Sequence, residues 1–276
     1  MLLKLLNIVL PLGYLLVFLN YLVYFVQKHE WSRRTITNLA RSVVSLHAIY
    51  LVLSIIVFRH IPLANVWEAF SFIAFALALV YLFLEWWMKD KATGVFLLAP
   101  PLFFQVVSSA FITHSFQVPD ILRSPLFGFH VMSALLGYAA FAIAAVYGGL
   151  YLLQYRELKG TSVGLIFQRL PNLEIMSKLI LGALIFGWCM LTLAIVVGTE
   201  WSLQLLSSGL IDDPFIDPKF LSTVLIWLIY GICIGGRYVL NWPSRILARI
   251  SLLAFLLMVA STLAVNLLIT SFHSFG

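Results

Sequence analysis

Residues 126–155 read LFGFHVMSALLGYAAFAIAAVYGGLYLLQY, and this stretch decides the fold class of the chain. None of these residues is Asp, Glu, Lys or Arg. Because a helix needs about 20 mostly apolar residues to cross a bilayer, the stretch predicts a transmembrane helix that projects past the lipid near Arg156. Small residues from Ser133 to Gly149 would let neighbouring helix backbones approach closely, which predicts that this span is the packing centre of a bundle.

The rest of the chain has the same apolar character. Hydrophobic residues make up 62% of it and charged residues 10%, against about 25% charged in ordinary soluble domains, so a water-soluble surface is excluded. Lipid forces each backbone to satisfy its own hydrogen bonds, which favours helices, and no alternating pattern indicates a barrel. We therefore predict an all-α, polytopic membrane bundle of about eight transmembrane helices, forming one domain over residues 1–276. The other seven predicted spans are 5–26, 39–58, 67–88, 94–112, 178–199, 220–240 and 246–271.

The basic residues predict the orientation of these spans. Thirteen of the 17 lysines and arginines fall in the odd-numbered loops, and positively charged loops stay in the cytoplasm. Both termini are therefore predicted outside. The net charge of +6 is explained by these loops, so it does not indicate a nucleic-acid partner. We expect a multi-pass protein of the bacterial inner (plasma) membrane.

Several histidines are predicted to lie at the same depth in the membrane. Four of the six, His60, His114, His130 and His273, lie at or near the outer membrane face on separate segments. Neutral imidazole is a ligand for metals and haem iron, although interfacial histidines are also tolerated without a ligand. His47 lies inside the second span, where an ionisable group is a functional hypothesis; a neutral histidine bonded to a neighbouring helix is the alternative.

Two outer loops carry further signals. Asn65 has the spacing of a helix N-cap, with Glu68 completing a capping box. The predicted last outer loop, residues 200–219, begins at Glu200 and Trp201 and is acidic and broken by prolines.

Three motifs resemble one known family. The stretch RHIPLANVWE at 59–68 resembles the "GHFPLSNLYES" motif of the cytochrome c assembly family, the CcsA/ResC group. Residues 129–140, FHVMSALLGYAA, are similar to that family's "HVSxxxxSYAA" helix, and GLYLLQY at 149–155 is especially similar to HemX-type relatives. The ending at 265–276, VNLLITSFHSFG, resembles its "VNLLGxGLHSYG" terminus. The likeness covers residues from about 59 to the end.

This resemblance implies a protein that handles haem. The histidines matching His130 and His273 are the family's outer-face pair, which would hold a b-type haem by bis-histidine ligation. A tryptophan-rich loop beside them presents the haem to apocytochrome c. The resemblance also implies a CcsB/ResB-like membrane partner. His60 and Trp201 are further candidates for the haem site. Holding haem is not in itself catalysis, so an enzyme is not predicted.

The chain departs from the family pattern at two places. Of the tryptophan-rich loop only Trp201, Asp217-Pro218-Lys219 and Trp227 have counterparts. The family's inner ligand histidine is replaced by Gly235, which leaves His47 as the intramembrane candidate. These departures keep open a second function, a HemX-like accessory or regulatory protein of haem biosynthesis or a membrane-complex subunit. A transporter is disfavoured because paired broken helices are absent.

Overall fold

The computed structural model describes residues 2–112, 119–160, 164–209, 215 and 217–268. Over these residues the chain is helical and contains no strand. Eight of the helices are long and apolar enough to cross a membrane, which confirms the predicted number. The helices are α1 (Leu2–Gln27), α2 (Glu30–Phe58), α3 (Val66–Met88), α4 (Gly94–Phe111), α5 (Pro125–Lys159), α6 (Leu165–Arg169), α7 (Leu173–Ser207), α8 (Pro218–Tyr238) and α9 (Ser244–Leu268), with a short 3₁₀ turn at Asp120–Arg123.

Two compact units divide the helices between them. Unit 1 comprises residues 1–124 and 164–171, and unit 2 comprises residues 125–163 and 172–276. Residues 164–171 belong to unit 1, where the Arg169 guanidinium donates to the Val26 carbonyl at 3.1 Å. This division concerns contacts within each unit, so it does not test the prediction of a single domain over residues 1–276. The outer location of the termini also stays a prediction.

Helix ends follow the local sequence. The side chain of Asn65 accepts hydrogen bonds from the backbone N–H groups of Trp67 and Glu68, at 3.1 and 2.9 Å, which confirms it as the N-cap of α3. The Glu68 carboxylate accepts from Ala64 N–H at 2.9 Å, one residue earlier than in a standard capping box. Asn172 and Asp217 cap α7 and α8 in the same manner.

Unit 1 encloses a buried carboxylate. Glu85, in the last turn of α3, is 4% exposed. It accepts hydrogen bonds from the hydroxyls of Tyr21, Thr37 and Tyr81. A charge taken out of water is tolerated only when it is compensated, and these three donors from α1, α2 and α3 supply that compensation. The cluster therefore ties the three helices together at the end that the charge pattern predicts to be cytoplasmic.

Unit 2 is organised around α5, which packs against α7 and α9. A Cβ atom built on Gly137 would lie 3.1 Å from the Gly187 carbonyl oxygen of α7. One built on Gly148 would lie 2.8 Å from the Ala248 carbonyl oxygen of α9. Hence α5 is the packing centre of unit 2, as its small residues predict. Since α5 and α7 have 35 residues each, each is about 52 Å long and extends beyond a hydrocarbon core of about 30 Å.

The contact at Gly148 makes a specific prediction. Gly148→Leu should lower the free energy of unfolding by about 2 kcal/mol, because α5 and α9 would have to separate. The matched control is Gly149→Leu, since nothing lies within 4 Å of a Cβ at Gly149. Thermal unfolding of the detergent-solubilised protein measures both. Equal midpoints for the two variants would contradict the close approach.

Candidate functional site

His130 lies in the second turn of α5 and reaches across to α7. Its Nδ1 lies 2.9 Å from the carbonyl oxygen of Ala194. A carbonyl oxygen only accepts, so Nδ1 carries the proton and Nε2 keeps its lone pair. No residue in the described ranges hydrogen-bonds to Nε2. Metal-ligating histidines are oriented in this way, with one ring nitrogen bonded to a backbone carbonyl and the other left for the metal.

Gly198 provides the space that this bond requires. It follows Ala194 by one helical turn, and a Cβ atom at Gly198 would lie 2.6 Å from Cε1 of the His130 ring. Any other residue at this position would therefore push the imidazole away from the carbonyl. The hydrogen bond of His130 on α5 therefore depends on the missing side chain of Gly198 on α7.

Trp201 lies near the imidazole of His130. The two rings are nearly parallel, at 23°, with centroids 6.3 Å apart, and Phe127 packs against the indole at 5.4 Å. Trp201 is 2% exposed and belongs to α7, so its predicted location in a loop starting at residue 200 is wrong. The helix continues past residue 200 because residues 199–208 contain no proline or glycine, and it ends before Gly209, whose φ is +69°.

A cavity of about 170 Å³ adjoins His130 within unit 2. Four of its lining residues, Thr199, Ser202, Lys219 and Thr223, carry hydroxyl or ammonium groups. The Tyr138 side chain also lines the cavity. The wall therefore combines a cation, several neutral donors and one imidazole with a free lone pair. The remaining lining residues are Ala134, Leu191, Ala194, Ile195, Gly198 and Phe220.

His47 has a different environment, in the centre of unit 1. Its Nδ1 lies 2.9 Å from the Tyr14 hydroxyl and its Nε2 lies 3.0 Å from Ser71 Oγ. Ser71 in turn donates to the Gln105 side-chain oxygen at 3.1 Å, so Ser71 accepts from His47 Nε2–H and Tyr14 donates to Nδ1. Both ring nitrogens are thus used by neighbouring helices, and iron binding by His47 would require one of these bonds to break. The structure supports the alternative of a neutral, hydrogen-bonded histidine.

The remaining candidates are placed separately. His60 is 5% exposed in unit 1, and its Nδ1–H donates to the Ile61 carbonyl at 2.8 Å. It borders a cavity of about 410 Å³ that Arg59 and Arg123 also line. His273 and His114 lie outside the described residues. In the part of the chain that the structure covers, no three His, Cys, Asp or Glu side chains come together as a metal site.

A model of the family "Cytochrome C assembly protein" matches residues 11–273. The chain belongs to this family. The match begins well before residue 59, so the likeness extends through the first span as well. The three motifs at 59–68, 129–140 and 265–276 are therefore part of a family relationship over nearly the whole chain.

Individual relatives of this cytochrome c assembly family member carry two names. The chain is 27% identical to Protein HemX of Brevibacillus brevis over 87% of each sequence. It is 24% identical to the cytochrome c biogenesis protein CcsA of Pyropia yezoensis, over 79% of each sequence. It is 26% identical to the CcsA of Parasynechococcus marenigrum, over 79% of this chain and 78% of that protein. The chain is thus similar to both HemX and CcsA proteins.

Because the chain belongs to the cytochrome c assembly family, the question is whether the residues around His130 could hold haem. The lone pair on Nε2 of His130 suits one axial position of haem iron, and Lys219 offers a cation for a propionate. The cavity is smaller than the roughly 300–1,000 Å³ of typical small-molecule sites, so it would enclose only the part of the macrocycle next to His130. The donor chemistry of His130 and Lys219 fits one side of a haem.

The position of the family's inner ligand carries no side chain. Gly235 lies in α8, and nothing is within 4 Å of a Cβ built on it. The sequence pattern also did not indicate Gly198, whose lack of a side chain leaves room for the His130 ring of another helix. The sequence does not show which helices are neighbours, so it did not predict that Tyr138 and Lys219 line the same cavity as His130.

The contact between Gly198 and His130 is testable without a ligand. Gly198→Ala should displace the imidazole, with loss of the Ala194 bond and the packing on Trp201. The control is Gly182→Ala on the same helix, where a Cβ meets nothing within 4 Å. Because the gain in helix propensity is the same for both changes, we expect Gly198→Ala to be the less stable variant by about 1–3 kcal/mol. Thermal unfolding in detergent measures the difference, and equal stabilities would contradict the contact.

Proposed function

We propose that the protein holds a b-type haem in cytochrome c assembly, with His130 as one axial ligand and His273 as the other. The observation that carries the proposal is the hydrogen bond between His130 Nδ1 and the Ala194 carbonyl, which leaves Nε2 as the ring nitrogen available to a ligand, on a side chain that lines the cavity. When bound, the haem would supply the group that is attached to apocytochrome c. The role of the chain is to position it and to shield one side of it from water.

The residues around His130 support this role. The hydrogen bond to Ala194 orients the imidazole, the indole of Trp201 lies nearly parallel to it, and preorganised ligands bind metals more tightly. Lys219 can pair with a propionate, as a partly buried cation next to an apolar wall. By the prediction from loop charges, this end of α5 faces the outer side of a bacterial inner membrane, where cytochromes c receive their haem. A CcsB/ResB-like protein is the expected membrane partner.

The proposal is tested by the absorption spectrum of the protein purified in detergent from haem-replete cells. We expect a six-coordinate, low-spin haem in the wild type. His130→Ala and His273→Ala should each reduce the haem retained per protein by roughly tenfold or more, since even the loss of an outer-shell partner of a metal ligand costs that much affinity. His60→Ala tests whether the third outer histidine contributes.

The control variant is His29→Ala, which alters an exposed histidine at the N-cap of α2 and should leave the spectrum unchanged. A colourless wild type that does not bind added haemin would overturn the proposal. Equal haem loss in His29→Ala and His130→Ala would likewise contradict the proposal that His130 is a specific haem ligand.

A second function has support from two observations. The similarity to HemX covers a larger share of this chain than the similarities to the two CcsA proteins, and the inner ligand position is Gly235. On this alternative the protein is a HemX-like accessory or regulatory membrane protein of haem biosynthesis. Deletion in the host distinguishes the two functions: loss of covalently haem-stained cytochromes c indicates assembly, whereas altered porphyrin levels with normal cytochromes c indicate the accessory role.

A further inference from the structure

A second cavity of unit 2 lies at the end that the loop charges predict to be cytoplasmic. It has a volume of about 390 Å³ and is formed by the last turns of α5 and the first turns of α9. Four of its six lining side chains are cationic. The lining residues are Leu152, Tyr155, Arg156, Lys159, Arg245 and Arg249.

The cations converge on one aromatic ring. The guanidinium carbon of Arg245 lies 5.2 Å from the centroid of the Tyr155 ring, and Nζ of Lys159 lies 5.4 Å from it. The ring of Tyr151 lies nearly parallel to that of Tyr155, at 10°, with the centroids 6.3 Å apart. The tyrosine therefore holds charges from both helices close together, where like charges repel each other unless an anion lies between them.

No carboxylate of the described residues pairs with these cations. The lining contains no acidic side chain, and over the described residues none of the four cations forms an ion pair. Unit 1 has a basic cavity whose lining does include a carboxylate. It is lined by Tyr24, Arg33, Arg34, Lys89, Asp90 and Lys91. There Asp90 is part of the wall, Arg33 pairs with Glu30 at 3.1 Å, and Lys91 donates to a backbone carbonyl at 2.8 Å.

The helix surface next to the cavity is apolar and exposed. Leu153 of α5 and Leu253, Leu256 and Leu257 of α9 all have large exposed fractions, and they lie on the membrane side of the cationic residues along each helix. A ligand with an anionic head and apolar tails matches both surfaces, whereas a free phosphate would use the cations alone. Basic pockets at the cytoplasmic ends of transmembrane helices bind anionic lipid head groups by this combination.

We propose that this cavity binds the phosphate head group of an anionic phospholipid, with the acyl chains on the exposed leucines of α5 and α9. The site is separate from the candidate haem site, because it lies at the other end of α5 from His130. It would fix the depth of α5 and α9 in the membrane through a bound lipid.

Native mass spectrometry of the full chain, released from detergent and titrated with phosphatidylglycerol, tests the proposal. We expect saturable binding of phosphatidylglycerol and no comparable binding of zwitterionic phosphatidylcholine. The double variant Arg245→Gln/Arg249→Gln should bind phosphatidylglycerol roughly tenfold more weakly or worse, because each Lys or Arg near an anionic head group strengthens binding by a similar factor. The control, Arg33→Gln/Arg34→Gln, removes the same charge from the cavity of unit 1 and should change the affinity less than about twofold.

Arg156→Gln/Lys159→Gln is the second test variant, because both side chains are exposed and their replacement leaves the packing intact. It should weaken binding as the first variant does. Equal weakening by the control and the test variants would overturn the proposal, since it would indicate attraction to overall charge. Displacement of phosphatidylglycerol by millimolar inorganic phosphate would also overturn it, by assigning the site to a free anion.

Discussion

Lipid offers no hydrogen-bond partner, so each polar group within a span has to find one inside the chain. For the backbone this requirement produces the eight long helices of the described residues. For the side chains it determines which helices must be neighbours. Glu85 needs the hydroxyls of Tyr21, Thr37 and Tyr81, and His47 needs Tyr14 and Ser71. The polar residues of unit 1 thus connect α1, α2 and α3. Apolar contacts alone would contribute little to their association, because an apolar helix surface is as stable against lipid as against another helix.

Unit 2 meets the same constraint by different means. Its central helix carries small residues, so backbones approach each other at Gly137 and Gly148. Close approach also makes backbone carbonyls available to side chains of the next helix, as at Ala194. In this unit the candidate ligand is therefore held by main-chain geometry, whereas the buried histidine of unit 1 is held by other side chains.

The sequence predicted the spans well because hydropathy over about 20 residues is a strong and local signal. It was weaker at helix ends: Trp201 was placed in a loop, although only Gly209 ends α7. It did not indicate the polar cluster at Glu85, since a carboxylate near the end of a span looks like a residue at the membrane surface. The role of His47 depended on Tyr14 and Ser71, which are distant in the chain. His130 and His273 as haem ligands stay a prediction.

The acceptor that orients His130 is a main-chain carbonyl, and this affects how the site can change over evolution. Substitution at Ala194 alters a side chain but leaves the oxygen in place, so genetic drift at that codon does not remove the bond. The polar wall of the cavity has no such protection, because Thr199, Ser202 and Lys219 contribute through their side chains alone. Descendants of this protein can therefore exchange what lies around the imidazole, and with it the preferred ligand, while they inherit the same protonated nitrogen.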